Sequence, residues 1–168
     1  MRRERSKTHP GATQPRVDRL HLSDEKDPYA IRGKLPDPTV CPTCGAMYRK
    51  GRWVWGAAPS DAHRTECPAC RRIAAGYPAG VVRFSGAFAR DHADEIGGLV
   101  RHVEEREKKE HALKRIMTVE READALVVTT TDEHLARGIG EAVRHAYQGE
   151  LDYRFSEAEN VLRVEWKR

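Results

Sequence analysis

The sequence lacks any long apolar run, and charged residues make up 33% of its 168 positions. No stretch approaches the roughly 20 apolar residues that a membrane-spanning helix needs. The first residues, Met1 to Lys7, are strongly basic and lead into no apolar segment of the kind that marks a secretory signal. We therefore expect a cytoplasmic protein without membrane contact, whose cysteines stay reduced.

Signatures of catalysis are also scarce. No nucleophile, base and orienting residue occur at a recognisable spacing, and the run 138–140 (Gly-Ile-Gly) lies within a predicted helix rather than in a phosphate-binding loop. Thr130, Asp132 and His134, at a predicted junction between a strand and a helix, are the one candidate cluster. Helix capping explains these residues without chemistry, so we expect a non-enzymatic protein.

Cysteine is rare, and its few occurrences are tightly grouped. The four cysteines form two Cys-x-x-Cys pairs, Cys41 with Cys44 and Cys67 with Cys70, separated by 22 residues. Four thiolates on two tight turns can close a tetrahedral site, which predicts a structural Zn²⁺ ion with no open coordination position. Two disulfides or a thioredoxin-like redox pair are the weaker alternatives, and His63 is expected to be a surface residue rather than a ligand.

The charge is unevenly distributed along the chain. Residues 41–90 contain eight Lys and Arg against two Asp and Glu, whereas residues 91–168 contain thirteen against eighteen. A small basic module beside an acidic remainder is typical of proteins that bind phosphate groups. The candidate nucleic-acid contacts in this module are Arg49, Lys50, Arg52, Arg64, Arg71 and Arg72, all of which we expect to be exposed.

Two tryptophans lie beside these cations. Residues 47–55 predict a hairpin that turns at 49–52 and places Trp53 and Trp55 on one face. The two rings can either pack over the metal site or stack on unpaired bases, and the sequence leaves both possibilities open.

The chain divides into three predicted parts. Residues 1–36 hold few large apolar side chains and predict a disordered basic arm, of which only the run 27–31 is a candidate for docking. Residues 37–80 form the four-cysteine module, expected to be a zinc ribbon or treble-clef-like unit. Residues 81–168 predict a two-layer α+β domain in the order β-α-β-β-α-β-β.

Within that domain, the apolar spacing predicts helices from Asp91 to about Glu110 and from a capping box at Thr130 and Glu133 to Tyr147. The last turns of the first helix lack apolar residues and are expected to project into solvent. Two alternating strands close the chain, with apolar residues at 151, 153 and 155 and at 162, 164 and 166.

The run from Pro38 to Gly45, the Gly-Arg-Trp-Val-Trp segment at 51–55 and the run from Cys67 to Ala74 resemble a family of uncharacterised bacterial zinc-ribbon proteins, over about residues 28–168. They are more distantly similar to the amino-terminal zinc region of the archaeal and eukaryotic large-ribosomal-subunit export adaptor. That adaptor has more such pairs, so the resemblance implies ribosome or RNA binding but no role in export.

Together these features predict a zinc-stabilised RNA-binding protein, associated with the ribosome through ribosomal RNA or the large subunit. The alternative is a protein-interaction or regulatory adaptor that binds a protein partner through its α+β domain, with zinc purely structural.

Overall fold

The structure is a computed structural model, and it describes residues 27–168. The predicted disordered arm lies largely outside the described residues. Within residues 27–168 no helix combines the length and the apolar character needed to cross a membrane.

The amino-terminal part contains a four-stranded sheet followed by a short helix. The elements are β1 Thr39–Val40, β2 Met47–Arg49, β3 Arg52–Val54, β4 His63–Arg64 and α1 Pro68–Ala75. The sheet order is β3-β2-β1-β4, with β1 and β4 parallel and the other neighbours antiparallel. Lys50 and Gly51, with φ of 49° and 82°, form the two-residue turn that joins β2 to β3, as the Lys-Gly pair predicts.

The carboxy-terminal part is an α+β unit built on a five-stranded sheet. Its elements are β5 Gly80–Ser85, α2 Ala87–Asp91, α3 Ala93–Glu110, β6 Ile116–Arg121, β7 Ala125–Thr130, α4 Glu133–Tyr147, β8 Glu150–Ser156 and β9 Val161–Lys167. The sheet order is β6-β7-β5-β9-β8, and only β5 and β9 are parallel, so the sheet is mixed. The predicted order of elements is confirmed, with one additional short helix, α2.

One face of this sheet carries the hydrophobic core. Val82 pairs with Val128 on one side and Val164 on the other, and Phe84 pairs with Leu126 and Trp166 in the same way. Paired residues project to the same face of a sheet, and these side chains are almost completely buried. The apolar faces of α3 and α4 cover them, which gives a two-layer unit; the helix residues in this core are Ile96, Val100, Val103, Leu135, Ala136, Ile139 and Val143.

The start of α4 differs from the prediction. Thr130 remains in β7, paired with both Gly80 and Ile116, and its hydroxyl donates to the carbonyl of Asp132 at 2.7 Å. Asp132 is the residue that caps α4, because its carboxylate accepts from the amide of Leu135 at 2.8 Å. The predicted capping box at Thr130 is therefore wrong by two positions, because the N-cap residue of α4 is Asp132.

The end of α3 also differs from the prediction. Its last turn does not project freely into solvent, because the carbonyl of Lys108 accepts from the indole N–H of Trp55 at 2.7 Å. Glu107 accepts from the ammonium of Lys114 at 2.8 Å. The first contact holds the end of α3 against the cysteine module, and the second holds it against the segment that leads into β6.

The segment from Asp27 to about Leu35 lies against that module. Asp27 accepts from the guanidinium of Arg72 at 2.6 Å, and the Tyr29 ring lies 4.5 Å from the same guanidinium and 6.1 Å from the Tyr77 ring. The predicted docking of the run 27–31 is thus confirmed.

Candidate metal centre

The first cysteine pair lies on the turn between β1 and β2. The amide of Gly45 donates to the carbonyl of Cys41 at 2.9 Å, and the amide of Cys41 donates to the carbonyl of Ala46 at 2.8 Å. Gly45 has φ of 77°, a conformation in which a side chain would be strained. The glycine lets the chain reverse directly after Cys44, so both sulfurs of the pair point to the same side.

The second pair begins α1. Cys67 is the N-cap residue, and its sulfur accepts from the amide of Cys70 at 3.4 Å, one helical turn further on. Pro68 occupies the first helical position, where its missing N–H costs nothing and its fixed φ suits a helix. The partial positive charge of a helix N-terminus favours the negatively charged form of both thiols.

The four sulfur atoms converge. All lie within 4.8 Å of one another, and the sulfurs of Cys44 and Cys67 are 3.8 Å apart. A tetrahedral ion with metal–sulfur bonds of about 2.3 Å requires sulfurs about 3.8 Å apart, whereas a disulfide requires about 2.05 Å. The predicted ligands are therefore brought together as free thiols that could hold one metal ion.

Burial raises the pKa values of the buried thiols, whereas hydrogen bonds from backbone amides lower them. Burial opposes ionisation of Cys41, but amide hydrogen bonds, led by that of Cys67 at 3.3 Å, outweigh it and lower its pKa to about 7. Burial raises the pKa of Cys67 and of Cys70, and the charge of Cys44 raises both further. Four thiolates cannot share this small volume without a cation, and a divalent ion would supply the missing positive charge.

Sequence reasoning missed the residue that completes the centre, Arg115. Its guanidinium is buried and donates to the sulfurs of Cys44 at 3.0 Å and Cys70 at 3.3 Å. Although burial opposes its charge, these hydrogen bonds raise the pKa of Arg115 above its ordinary value. A divalent ion bound by four thiolates would give the centre a net charge of −2, and the positive charge of Arg115 neutralises part of it.

Other contacts fix Arg115 from the α+β side. Its Nε donates to the carbonyl of Ala112 at 2.9 Å, and its backbone amide donates to the Thr131 hydroxyl at 2.9 Å. The Trp55 ring lies 5.4 Å from its guanidinium. The cysteine cluster is thus bonded directly to the segment that enters β6.

The two tryptophans of the hairpin pack beside the cysteine cluster and Arg115. Trp53 packs against the cysteine cluster and meets the Tyr48 ring edge-on at 5.7 Å. Trp55 lies between Arg115 and the end of α3, with the Lys108 ammonium 5.9 Å from its ring. Both rings contribute to packing around the centre, which was the first of the two possibilities that the sequence left open.

Five of the six predicted phosphate contacts have accessible side chains, with Arg71 half-buried and the others exposed. Arg72 is the exception, because it is only 3% exposed. Its guanidinium donates to Asp27 and to the Tyr77 carbonyl and lies over the Tyr29 ring. The expectation that Arg72 is exposed is wrong, because adjacent residues on a helix project about 100° apart and Arg72 lies on the inner side of α1. The accessible set, called the basic surface below, is Arg49, Lys50, Arg52, Arg64 and Arg71.

Comparison with known proteins adds no assignment. The chain matches no protein-family model, no curated protein and no solved structure.

Proposed function

We propose that this protein is a zinc-stabilised RNA-binding protein that contacts phosphate groups through the basic surface. The metal part of the proposal is supported by the donor set. Four sulfur ligands within 4.8 Å of one another favour Zn²⁺ or an iron–sulfur cluster over Mg²⁺ or Ca²⁺, and the 3.8 Å between the sulfurs of Cys44 and Cys67 suits a single ion. With all four positions filled by protein, the ion would hold the turns of the module in place.

The RNA part is carried by one observation: the basic surface has no carboxylate partners among residues 27–168. Of the three acidic residues in 37–80, Asp37 accepts from the backbone amide of Lys50 and Glu66 from the hydroxyl of Thr43. Ion pairs are frequent in the α+β part instead, where they involve Arg83, Arg90, Arg106, Lys114, Arg121, Arg137, Arg154 and Arg163.

Unpaired cations grouped on one small module attract a polyanion without first breaking existing ion pairs. Each phosphate they neutralise releases a counterion, so binding weakens as salt rises. The distant resemblance of the cysteine pairs to the zinc region of the large-ribosomal-subunit export adaptor makes ribosomal RNA the first ligand to test.

The test is the fluorescence anisotropy of a labelled ribosomal RNA fragment, titrated with the protein over a series of salt concentrations. The variant Arg49→Ala, Arg52→Ala, Arg64→Ala should bind at least tenfold more weakly at about 0.1 M salt, and its salt dependence should be shallower by about two to three phosphate contacts.

A matched control removes the same charge from exposed positions of the α+β part. The variant Arg101→Ala, Arg154→Ala, Lys167→Ala should bind within about threefold of the unmodified protein, since it leaves the basic surface intact. Absence of binding at low salt, or equal losses in the two variants, would contradict the proposal.

A further inference from the structure

The cations and the aromatic rings of the module lie on opposite faces of its sheet. Arg52 and Trp53 are consecutive in β3, and consecutive side chains of a strand project to opposite sides. Arg49 pairs with Arg52, so these two arginines share a face. Trp53 pairs with Tyr48 on the other face, which is directed at the cysteine cluster.

Arg64 belongs to the face that carries the arginines. It pairs with Val40, which pairs with Met47, and Met47 lies two residues before Arg49 in β2. Side chains two residues apart in a strand project to the same side. Two strand spacings separate β2 from β4, and the two arginines are offset by two residues along the strands, so the Cα atoms of Arg49 and Arg64 lie about 12 Å apart.

The two exposed tryptophan and tyrosine rings among residues 27–168 are engaged within the protein. Trp55 is 38% exposed, but its indole N–H donates to the Lys108 carbonyl and two cations lie at its ring. Tyr77 is 37% exposed, and it packs on Tyr29 and donates its hydroxyl to the carbonyl of Glu159 at 2.5 Å. The other exposed large apolar residue among residues 27–168 is Ile73, which has no ring.

We infer that the basic surface binds the sugar-phosphate backbone of double-stranded RNA rather than single-stranded RNA; this inference rests on the proposed function. Proteins that bind single strands present aromatic rings on which bases stack, at about 1–3 kcal/mol per base. The cationic face offers no such ring. Duplex RNA is recognised by shape and by its phosphates and 2′-hydroxyls, with its bases stacked inside the helix.

The dimensions of the surface agree with this ligand. Cations that lie about 12 Å apart on one face can meet several phosphates of a duplex, whose two strands present charge more densely than one strand does. Contacts to phosphates carry no sequence information, and the major groove of an RNA duplex is too deep and narrow for side chains to read, so binding is independent of sequence.

The test uses a fluorescein-labelled 16-base-pair RNA duplex, either of its single strands, and a DNA duplex of the same sequence. In anisotropy titrations at about 0.1 M salt, the RNA duplex should bind at least tenfold more tightly than the single strand. A duplex of scrambled sequence should bind within about twofold. The variant Arg49→Ala, Arg52→Ala, Arg64→Ala should lose duplex binding by tenfold or more.

Tryptophan fluorescence gives a second readout, because bases that stack on an indole quench its emission. Saturation with the single strand should leave the emission unchanged. A single strand that binds as tightly as the duplex and quenches the emission would overturn the inference while leaving the proposed function intact. A tenfold preference for the DNA duplex would overturn the assignment to RNA. If neither RNA binds at low salt, the proposed function itself fails.

Discussion

Arg115 donates a hydrogen bond to the sulfur of Cys44 at 3.0 Å, although the two residues lie 71 positions apart in the chain. Through this bond the carboxy-terminal α+β part supplies a cation to the cysteine cluster of the amino-terminal part. The two sheets are therefore joined at the candidate metal centre, and loss of the metal would let the thiolates protonate and leave the buried guanidinium without their compensating negative charge.

Replacing Arg115 should weaken both metal binding and folding. In Arg115→Ala the charge of the metal–thiolate centre is no longer neutralised, and loss of such a supporting residue typically lowers metal affinity 10- to 100-fold. We expect stability to fall by roughly 3 kcal/mol, the usual result of breaking a buried charged pair. Competition with a chromophoric chelator and denaturation in urea measure the two effects.

Two controls accompany this variant. Arg115→Lys keeps the charge but cannot donate to two sulfurs at once in the same geometry, so its metal affinity should be intermediate. Arg101→Ala removes an exposed cation without an ion pair among the described residues and should change stability by less than about 0.5 kcal/mol. Equal metal affinity in Arg115→Ala and the unmodified protein would show that the guanidinium is irrelevant to the centre.

Two glycines of α4 form a matched pair for testing how closely this helix packs on the sheet. A Cβ at Gly140 would lie 2.6 Å from Cγ1 of the buried Val164, whereas a Cβ at Gly138 meets nothing within 4 Å. Gly140→Ala should destabilise the fold by about 1–3 kcal/mol through overpacking. Gly138→Ala should stabilise it by up to about 1 kcal/mol, since alanine favours helices. Thermal unfolding of the two variants should therefore shift in opposite directions; shifts of the same sign would mean that α4 does not contact β9 as described.

Alanine substitutions at the adjacent residues Arg71 and Arg72 should have different effects, one on RNA affinity and the other on folding stability. Arg72→Ala removes hydrogen bonds to Asp27 and to the Tyr77 carbonyl, so we expect a loss of about 1–3 kcal/mol and faster proteolysis near residues 27–36. Its affinity for RNA should stay within about twofold. Arg71→Ala should weaken RNA binding severalfold, with stability nearly unchanged. The reverse pattern would show that Arg72, and not Arg71, faces the ligand.

Glu107 should make folding stability depend on acid pH. Its hydrogen bond from Lys114 holds the Glu107 pKa below its ordinary value of 4.5, so the carboxylate is favoured in the folded protein. The stabilisation is present above that value and is lost as the pH falls through the folded-state pKa. Glu107→Gln should therefore cost about 0.5–1 kcal/mol at pH 7, because both groups are partly exposed.

The difference between Glu107→Gln and the unmodified protein should stay constant from pH 7 to about 4.5 and shrink as the pH falls further, as followed by denaturation in urea. Glu105→Gln, an exposed position of the same helix, serves as the control and should show no such trend. A difference that grows with acidity would mean that the carboxylate is destabilising in the folded protein.

Local patterns predicted the parts of the fold that depend on local chemistry. The spacing of the cysteine pairs and the hairpin turn at 49–52 are signals within a few residues of the structure they specify. The alternation in β8 and β9 was equally clear, since Leu162, Val164 and Trp166 are buried while Arg163 and Glu165 are exposed.

The contacts that the sequence did not reveal join distant parts of the chain. Arg115 reaches Cys70 across 45 residues, and no pattern around it distinguishes it from an exposed arginine at a strand end. Thr130 and Asp132 are both good capping residues, and pairing of Thr130 with two neighbouring strands decided between them. The inward position of Arg72 depends likewise on Asp27, 45 residues earlier.

The metal content of the purified protein tests the central claim most directly. Protein prepared without a metal-affinity tag should contain about one zinc ion per chain by mass spectrometry, no iron, and four thiols that react with a thiol reagent only after chelation or unfolding. Cys44→Ser together with Cys67→Ser should remove the zinc. A folded protein with no stoichiometric metal and freely reactive thiols, or with two disulfides, would contradict the account.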